Sequence, residues 1–457
     1  MTSRSILIPA VSAWVLVISV LGLPRMAVKA SPAQESSALL YTVAKRYEPL
    51  AWMHGRDRFE YGAIIFEHDE NGNHPLLPNF AASADAAVSF DGQRVLFAGK
   101  QKAEEPWQIW EMPLAGGEPR RVTACLEDCV RPLYLPEERL VYARRNAGRF
   151  SIESMDMAGG RPLGLTYGPS NSLPAAVLHD GRILFEAAYP LGAEATPEIY
   201  TVYSDGSGVE SYRCDHGAHR HSAKQVSSGD VVFASSRGLA RFTSARAQEV
   251  QISAPAGEYA GGVVETPAGD WIVPWRADTK APYQLMLWTQ GSRALRPMVA
   301  AQNADTVEPV LIVKAAVPNR HPSGLHDWPN ANLLCLNAYT SKYQFAAGSI
   351  HSVRVYSRDE AGNPVPLGTA AVERDGSFFV QLPSERPLQI ELLDDAGKTL
   401  KRESGFFWMR RGEQRACVGC HAGPETSPEN AVPLTLLKST TPADMTGATS
   451  QNSEGGH

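Results

Sequence analysis

Ser89-Phe90-Asp91-Gly92-Gln93-Arg94-Val95-Leu96-Phe97, followed by Gln108-Ile109-Trp110-Glu111-Met112 and Ala115-Gly116-Gly117, is the stretch that decides the fold. An aspartate-glycine pair supplies the positive φ of a tight turn, and the β-branched and aromatic runs beside it suit short strands. The pattern returns loosely along the chain. Leu140-Val141-Tyr142 precedes Phe150-Ser151-Ile152 and Ala158-Gly159-Gly160; His179-Asp180-Gly181 precedes Ile183-Leu184-Phe185, Glu198-Ile199-Tyr200-Thr201-Val202 and Asp205-Gly206-Ser207-Gly208. Fainter copies start at Gly229-Asp230-Val231 and Gly269-Asp270-Trp271, and Gly62-Ala63-Ile64-Ile65-Phe66 with Asp69-Glu70-Asn71-Gly72 supplies a sixth. Strands this short cannot bury an apolar face alone, so a repeat of about 40 residues built from them predicts blades around an axis. The expected fold class is all-β, opening with a propeller of about six blades over residues 31–304.

From residue 305 the texture changes. Pro309, Pro318, Pro322 and Pro329 space out a connector. Val353-Arg354-Val355-Tyr356, Ala371-Val372-Glu373, Phe378-Phe379-Val380 and Gln389-Ile390-Glu391-Leu392 then alternate with period two between glycine turns, which predicts a small antiparallel sandwich reaching residue 423. Residues 424–457 are rich in Pro, Ser, Thr, Asn and Gly and are expected to be disordered.

The 457 residues include 43 basic and 49 acidic side chains, a net charge of −6. That balance argues against nucleic acid as a partner, because a phosphate-binding surface shows as basic excess. Arg4, the apolar run Ile6 to Leu23 and the small residues ending Val28-Lys29-Ala30 read as an export signal over residues 1–30. A retained anchor is the other reading of that run. No later segment is apolar enough to span a bilayer, so the mature chain is expected in the periplasm or secreted, without a membrane span.

Cys417-Val418-Gly419-Cys420-His421 carries the chemistry. Two thiols at this spacing can form thioethers to the vinyl groups of one haem, and the adjacent histidine can ligate its iron. One haem c is therefore expected on Cys417 and Cys420, with His421 as proximal ligand. The sequence leaves the sixth position open among His321, His326, Met409 and the loop from Cys214 to His221; His321, fixed between Arg320 and Pro322, is the candidate distal ligand. Cys214, Asp215, His216, His219 and His221 combine soft and borderline donors that suit zinc, although their spacing is no recognised metal motif and a polar loop between blades is the favoured reading. In an oxidising compartment Cys125 and Cys129 are expected to pair as a disulfide. Cys335, inside Leu333-Leu334-Cys335-Leu336, reads as a buried thiol. Phosphate-loop, nucleophile-elbow and HExxH motifs do not occur, leaving hydrolase and nucleotide-dependent readings little support.

The repeat resembles the TolB-type propeller, in which an aspartate-glycine turn opens a strand. The run from Ser404 through Phe406-Phe407-Trp408-Met409-Arg410-Arg411 to Ala416, leading into the haem motif, resembles the haem-bearing middle domain of the hydrazine synthase alpha subunit. So do Pro318-Asn319-Arg320-His321-Pro322, Leu333-Leu334-Cys335-Leu336-Asn337 and Asp375-Gly376-Ser377-Phe378, which together extend the likeness over roughly residues 305–423. The resemblance implies a propeller packed beside the haem domain, the two lining a site of nitrogen chemistry, with a cysteine-containing metal site near the haem. This chain departs from the family pattern by having Glu425 where the family has a tyrosine involved in iron ligation, and no second haem motif after Gly423. Ordinary His421 ligation is thus expected. The role implied is electron transfer, or redox chemistry on a small molecule, with other periplasmic redox proteins or that molecule as partners. The other reading is a secreted propeller acting in binding or as a scaffold, without redox chemistry.

Overall fold

A computed structural model of the chain describes residues 38–447 apart from 190–195, 214–218, 246, 360–361, 404 and 420–429. Among these, strands dominate, and six consecutive antiparallel sheets form the propeller. Blades 2 to 5 each take four strands in chain order: Ala82–Val88 to Arg120–Arg121, Cys129–Leu135 to Leu163–Gly164, Ser172–Val177 to Glu210–Ser211, and Arg220–Gln225 to Val250–Gln251. In blade 6 the innermost strand is broken into Glu258–Tyr259 and Val264–Glu265, both paired with Trp271–Arg276.

Blade 1 closes the ring. Its innermost strand, Asp305–Leu311, comes from the far end of the propeller and pairs with Leu39–Ala44, which pairs in turn with Ala63–Asp69. The propeller therefore extends to residue 311 rather than stopping at 304. Pro309, which reads as the start of a connector, lies within this strand, where the ladder shifts register between Leu40 and Thr42 and the missing proline N–H leaves no gap in the pairing.

Residues 312–329 then run across the turns of successive blades. Ala315 N donates to Phe90 O and Asn319 N to His179 O, both at 2.9 Å, and Arg320 pairs with Glu137 at 2.7 Å. Two four-stranded sheets follow. One has Asn330–Cys335 and Phe378–Pro383 at its centre; the other centres on Ser352–Arg358 and Gln389–Leu393. Leu333, Val353, Val355, Val380, Leu382 and Leu392 fill the layer between them. The sandwich is antiparallel except at both edges of the first sheet, where Gln414–Cys417 runs parallel to Asn330–Cys335 and Ala443–Asp444 parallel to Phe378–Pro383.

The last of these strands corrects the expectation of a disordered tail for residues 430–447, the part of 424–457 that is described. Met445 is buried in the sandwich core. The short helix Leu434–Lys438 has its first N–H groups held by Asp375 and Ser377, at 2.8 and 3.0 Å. Composition hid this because one apolar side chain and one bridging strand suffice when a finished sheet edge is there to receive them. The proposed export segment lies outside the described residues. Among the described residues no helix is long and apolar enough to cross a membrane.

Candidate functional site

The strand that leads into the haem motif is docked on blade 4. Glu413, almost fully buried, accepts from Gly208 N at 3.1 Å and from the guanidinium of Arg415, while its second oxygen accepts from Arg410 N at 2.7 Å. Arg410 reaches Glu385 at 2.6 Å and the Tyr167 hydroxyl. Trp408 inserts among Leu165, Phe185 and Tyr200 of blades 3 and 4. A buried carboxylate held by one guanidinium group and two backbone N–H groups fixes orientation as well as position, because each bond is charge-assisted and directional.

Cys417 ends the edge strand Gln414–Cys417, half-buried, in register with Cys335 on the neighbouring strand. Its carbonyl accepts from Leu336 N at 2.8 Å. Gly419 lies so close to the loop 337–340 that a Cβ there would stand 2.1 Å from Thr340 O and 2.7 Å from Asn337 O. The motif backbone is thus seated in a cradle that admits only glycine. Cys420 and His421 lie outside the described residues. The donor set of two cysteines and a histidine, beginning at a half-exposed thiol on a sheet edge, suits covalent haem.

Cys214, Asp215 and His216 of the possible metal cluster also lie outside the described residues. His219 is exposed and His221 buried; their rings meet edge to face at 5.7 Å, so the two histidines share one face as their alternation suggests. His221 Nδ1 lies 3.0 Å from Ser222 Oγ. His321 is exposed and stacks on Tyr203 with ring centroids 3.7 Å apart, placing it over the outer part of blade 4. Met409 belongs to the sandwich core, and His326 stacks on Trp328. Cys125 and Cys129 form a disulfide with Cα atoms 6.2 Å apart.

A second constellation, absent from the sequence reading, lies on the propeller axis. The innermost strands of blades 2, 3, 5 and 1 each break register at a residue with positive φ: Asp85, Arg131, Ser222 and Glu308. In blade 6 the glycines 261 and 262 take this place, and a Cβ at Gly261 would meet Ser222 Cβ at 2.0 Å. The bulges turn charged side chains into a cavity of about 110 Å³ also lined by Tyr47, Arg58, Glu186 and Lys224. Arg58 pairs with Asp85 at 3.0 Å and with Glu308 at 2.5 Å, and bonds the Tyr47 hydroxyl at 2.5 Å. Arg131 pairs with Glu186 at 3.1 Å, and its backbone N–H donates to Asp85 at 3.0 Å.

One end of the channel is sealed by the loop between the first two strands of blade 1. Its Trp52, Met53 and Phe59 pack with Trp107, Phe150, Ala260 and Tyr283 of blades 2, 3 and 6. Burial, reinforced by the Glu308 carboxylate, raises the Asp85 pKa against the pull of Arg58 and Arg131. Glu308 goes the other way: Arg58, with bonds from Thr42 and Asp85 N, outweighs its burial and holds it below the usual range. Burial, with Arg131 next to it, lowers Lys224 to about 8. The trace of this site in sequence is a charge before proline inside an apolar run, as in Val130-Arg131-Pro132 and Val307-Glu308-Pro309.

With this geometry in place, the relatives of the chain can be stated. Residues 346–422 match the family model described as the hydrazine synthase alpha subunit middle domain. The chain resembles the hydrazine synthase alpha subunit. Hydrazine synthase from Kuenenia stuttgartiensis superposes with a TM-score of 0.75 at 17% identity, over 88% of this chain and 71% of that one. TolB from Acinetobacter baumannii aligns over 63% of this chain and 68% of its own at 13% identity, with a TM-score of 0.46. No curated protein sequence matches the chain. The hydrazine synthase superposition, at such low identity, speaks for the fold: it spans the propeller as well as the sandwich. The matched family span takes in Cys417, Cys420 and His421 and ends one residue beyond the histidine.

Proposed function

We propose that this chain is an exported c-type cytochrome with one covalent haem on Cys417 and Cys420, His421 serving as proximal ligand. The reading rests above all on one observation: the Cys-x-x-Cys-His motif falls inside the span that matches the hydrazine synthase alpha middle domain, and its first cysteine ends a strand bonded to blade 4. When bound, the haem supplies one-electron chemistry at its iron. The protein's share would be to hold the haem through Cys417, Cys420 and His421 and to fix the strand that leads to them. Glu413 and Arg415 fix the approach of the motif strand, Gly419 seats the motif against Thr340, and the half-buried Cys417 offers its thiol at the sheet edge. The role that follows is electron transfer with other periplasmic redox proteins, or redox chemistry on a small molecule. Cys214, Asp215, His216, His219 and His221 are the residues we propose for a second metal such as zinc, and His321 for the distal position.

The full chain, produced in a host competent for cytochrome maturation, should retain haem after denaturation and show a c-type spectrum. Cys417→Ser with Cys420→Ser should lose it. Purified wild-type protein without covalent haem would overturn the proposal and leave the binding or scaffold role. Carbon monoxide added to the reduced protein separates the two redox roles, since an open iron position binds it and a filled one resists.

A further inference from the structure

We propose that the channel on the propeller axis is a binding site for a small monovalent oxyanion, a carboxylate or an inorganic ion of a few heavy atoms, held by Lys224 and Arg131. Three cations and three carboxylates line the cavity, yet the pairing among them is uneven. Asp85 and Glu308 share Arg58, and Glu186 takes Nη1 of Arg131 together with Ser222 N. Every carboxylate thereby has a guanidinium against it. On the cation side, the Lys224 ammonium has no hydrogen-bond partner among the described residues, and neither has Nη2 of Arg131.

Two positive groups with unused donors that line one cavity repel each other, and partial burial weakens the screening between them. Glu186, Glu308 and Asp85 offset that repulsion through space, but none of them bonds Lys224. The chain nevertheless arranges this pair: the stem of Lys224 runs past Gly262, where a Cβ would stand 3.5 Å from Lys224 Cε, and Gly261 clears the space that Ser222 needs. A planar oxyanion presents two acceptor oxygens, one for each unused donor, and relieves the repulsion while forming two charge-assisted bonds. The cavity volume of about 110 Å³ has room for a small ion or several waters. Glu186 and Asp85 on the same wall disfavour a second negative charge, which selects monovalent ions. Pro174 and Pro274 contribute apolar wall without an N–H.

The test is calorimetric titration of the full chain, as purified, with sodium formate, acetate and nitrate at constant ionic strength set with chloride. Saturable binding is expected, together with a melting temperature that rises with the logarithm of anion concentration. Lys224→Met should weaken binding by at least about tenfold, and Lys224→Arg should restore most of it. Unchanged affinity in K224M, or no saturation up to about 100 mM, would overturn the proposal. Should K224M not fold, line broadening of ¹³C-formate by wild-type protein decides the matter: broadening relieved by nitrate supports the site, and broadening absent or unrelieved refutes it.

Discussion

Trp408 of the sandwich donates its indole N–H to the carbonyl oxygen of Leu165 in blade 3 at 3.1 Å, joining residues 243 positions apart. The ring also fills an apolar pocket shared by two blades, so hydrogen bond and packing act at one point. Trp408→Ala should lower stability by about 3–5 kcal/mol, the usual cost of removing a buried tryptophan. It should also expose the connector 312–329 to proteases. Denaturant melts and limited proteolysis check both effects, and an unchanged melt would mean that the two domains are held elsewhere.

Arg58, enclosed by the rings of Tyr47, Trp52 and Phe59, is the common partner of Asp85 and Glu308. Arg58→Met keeps the volume and strands two buried carboxylates. A loss of about 3–5 kcal/mol is expected in urea unfolding at neutral pH. The loss should shrink in acid, where protonation neutralises the stranded groups.

Asp85 faces Glu308 on blade 1, Arg58 on the sealing loop and Arg131 on blade 3, with Lys224 of blade 5 across the cavity. Burial and Glu308 push its pKa up to about 7. The native state then binds a proton that the unfolded chain, with an ordinary carboxyl, has already released. Stability contributed by this group is therefore full in acid and falls as pH rises from about 4 to 7. Asp85→Asn should flatten that slope by more than about 1.4 kcal/mol across the window, one pKa unit's worth. Urea melts at several pH values read the difference, and parallel slopes for both proteins would refute it.

Gly419→Ala places a methyl group 2.1 Å from Thr340 O. The motif must then lift from its seat, at a cost of about 1–3 kcal/mol. A lower melting temperature and a reduced yield of covalent haem should appear together in absorbance and gel assays of the same preparation.

Met445 is 1% exposed. Met445→Ala should cost about 2–5 kcal/mol. Chemical denaturation of the variant beside the wild type measures the loss, and equal midpoints would refute it.

The propeller was legible because aspartate-glycine turns are local: Asp91-Gly92 and Asp180-Gly181 announce the strands that follow whatever the rest of the chain does. The Cys417 to His421 motif was legible for the same reason. The last propeller strand was not. Glu308-Pro309 looks like linker until its partner, Leu39–Ala44, is known, and that pairing is made by the whole ring. Met445 escaped because a single apolar residue in a polar tail carries no periodicity. The channel charges escaped because a lone Asp85 or Arg131 in an apolar strand gives no sign of which other charge it will meet.

Closing the ring with the strand Asp305–Leu311 also sets an order of events. Thr42 cannot receive its partner Glu308 until another 266 residues have been made, so the first blade stays unsealed while the other five form. A chain emerging N-terminus first must carry one edge of its opening strand unpaired through that interval, and the axial channel, with Arg58 waiting for Glu308, comes into being only at the final stitch.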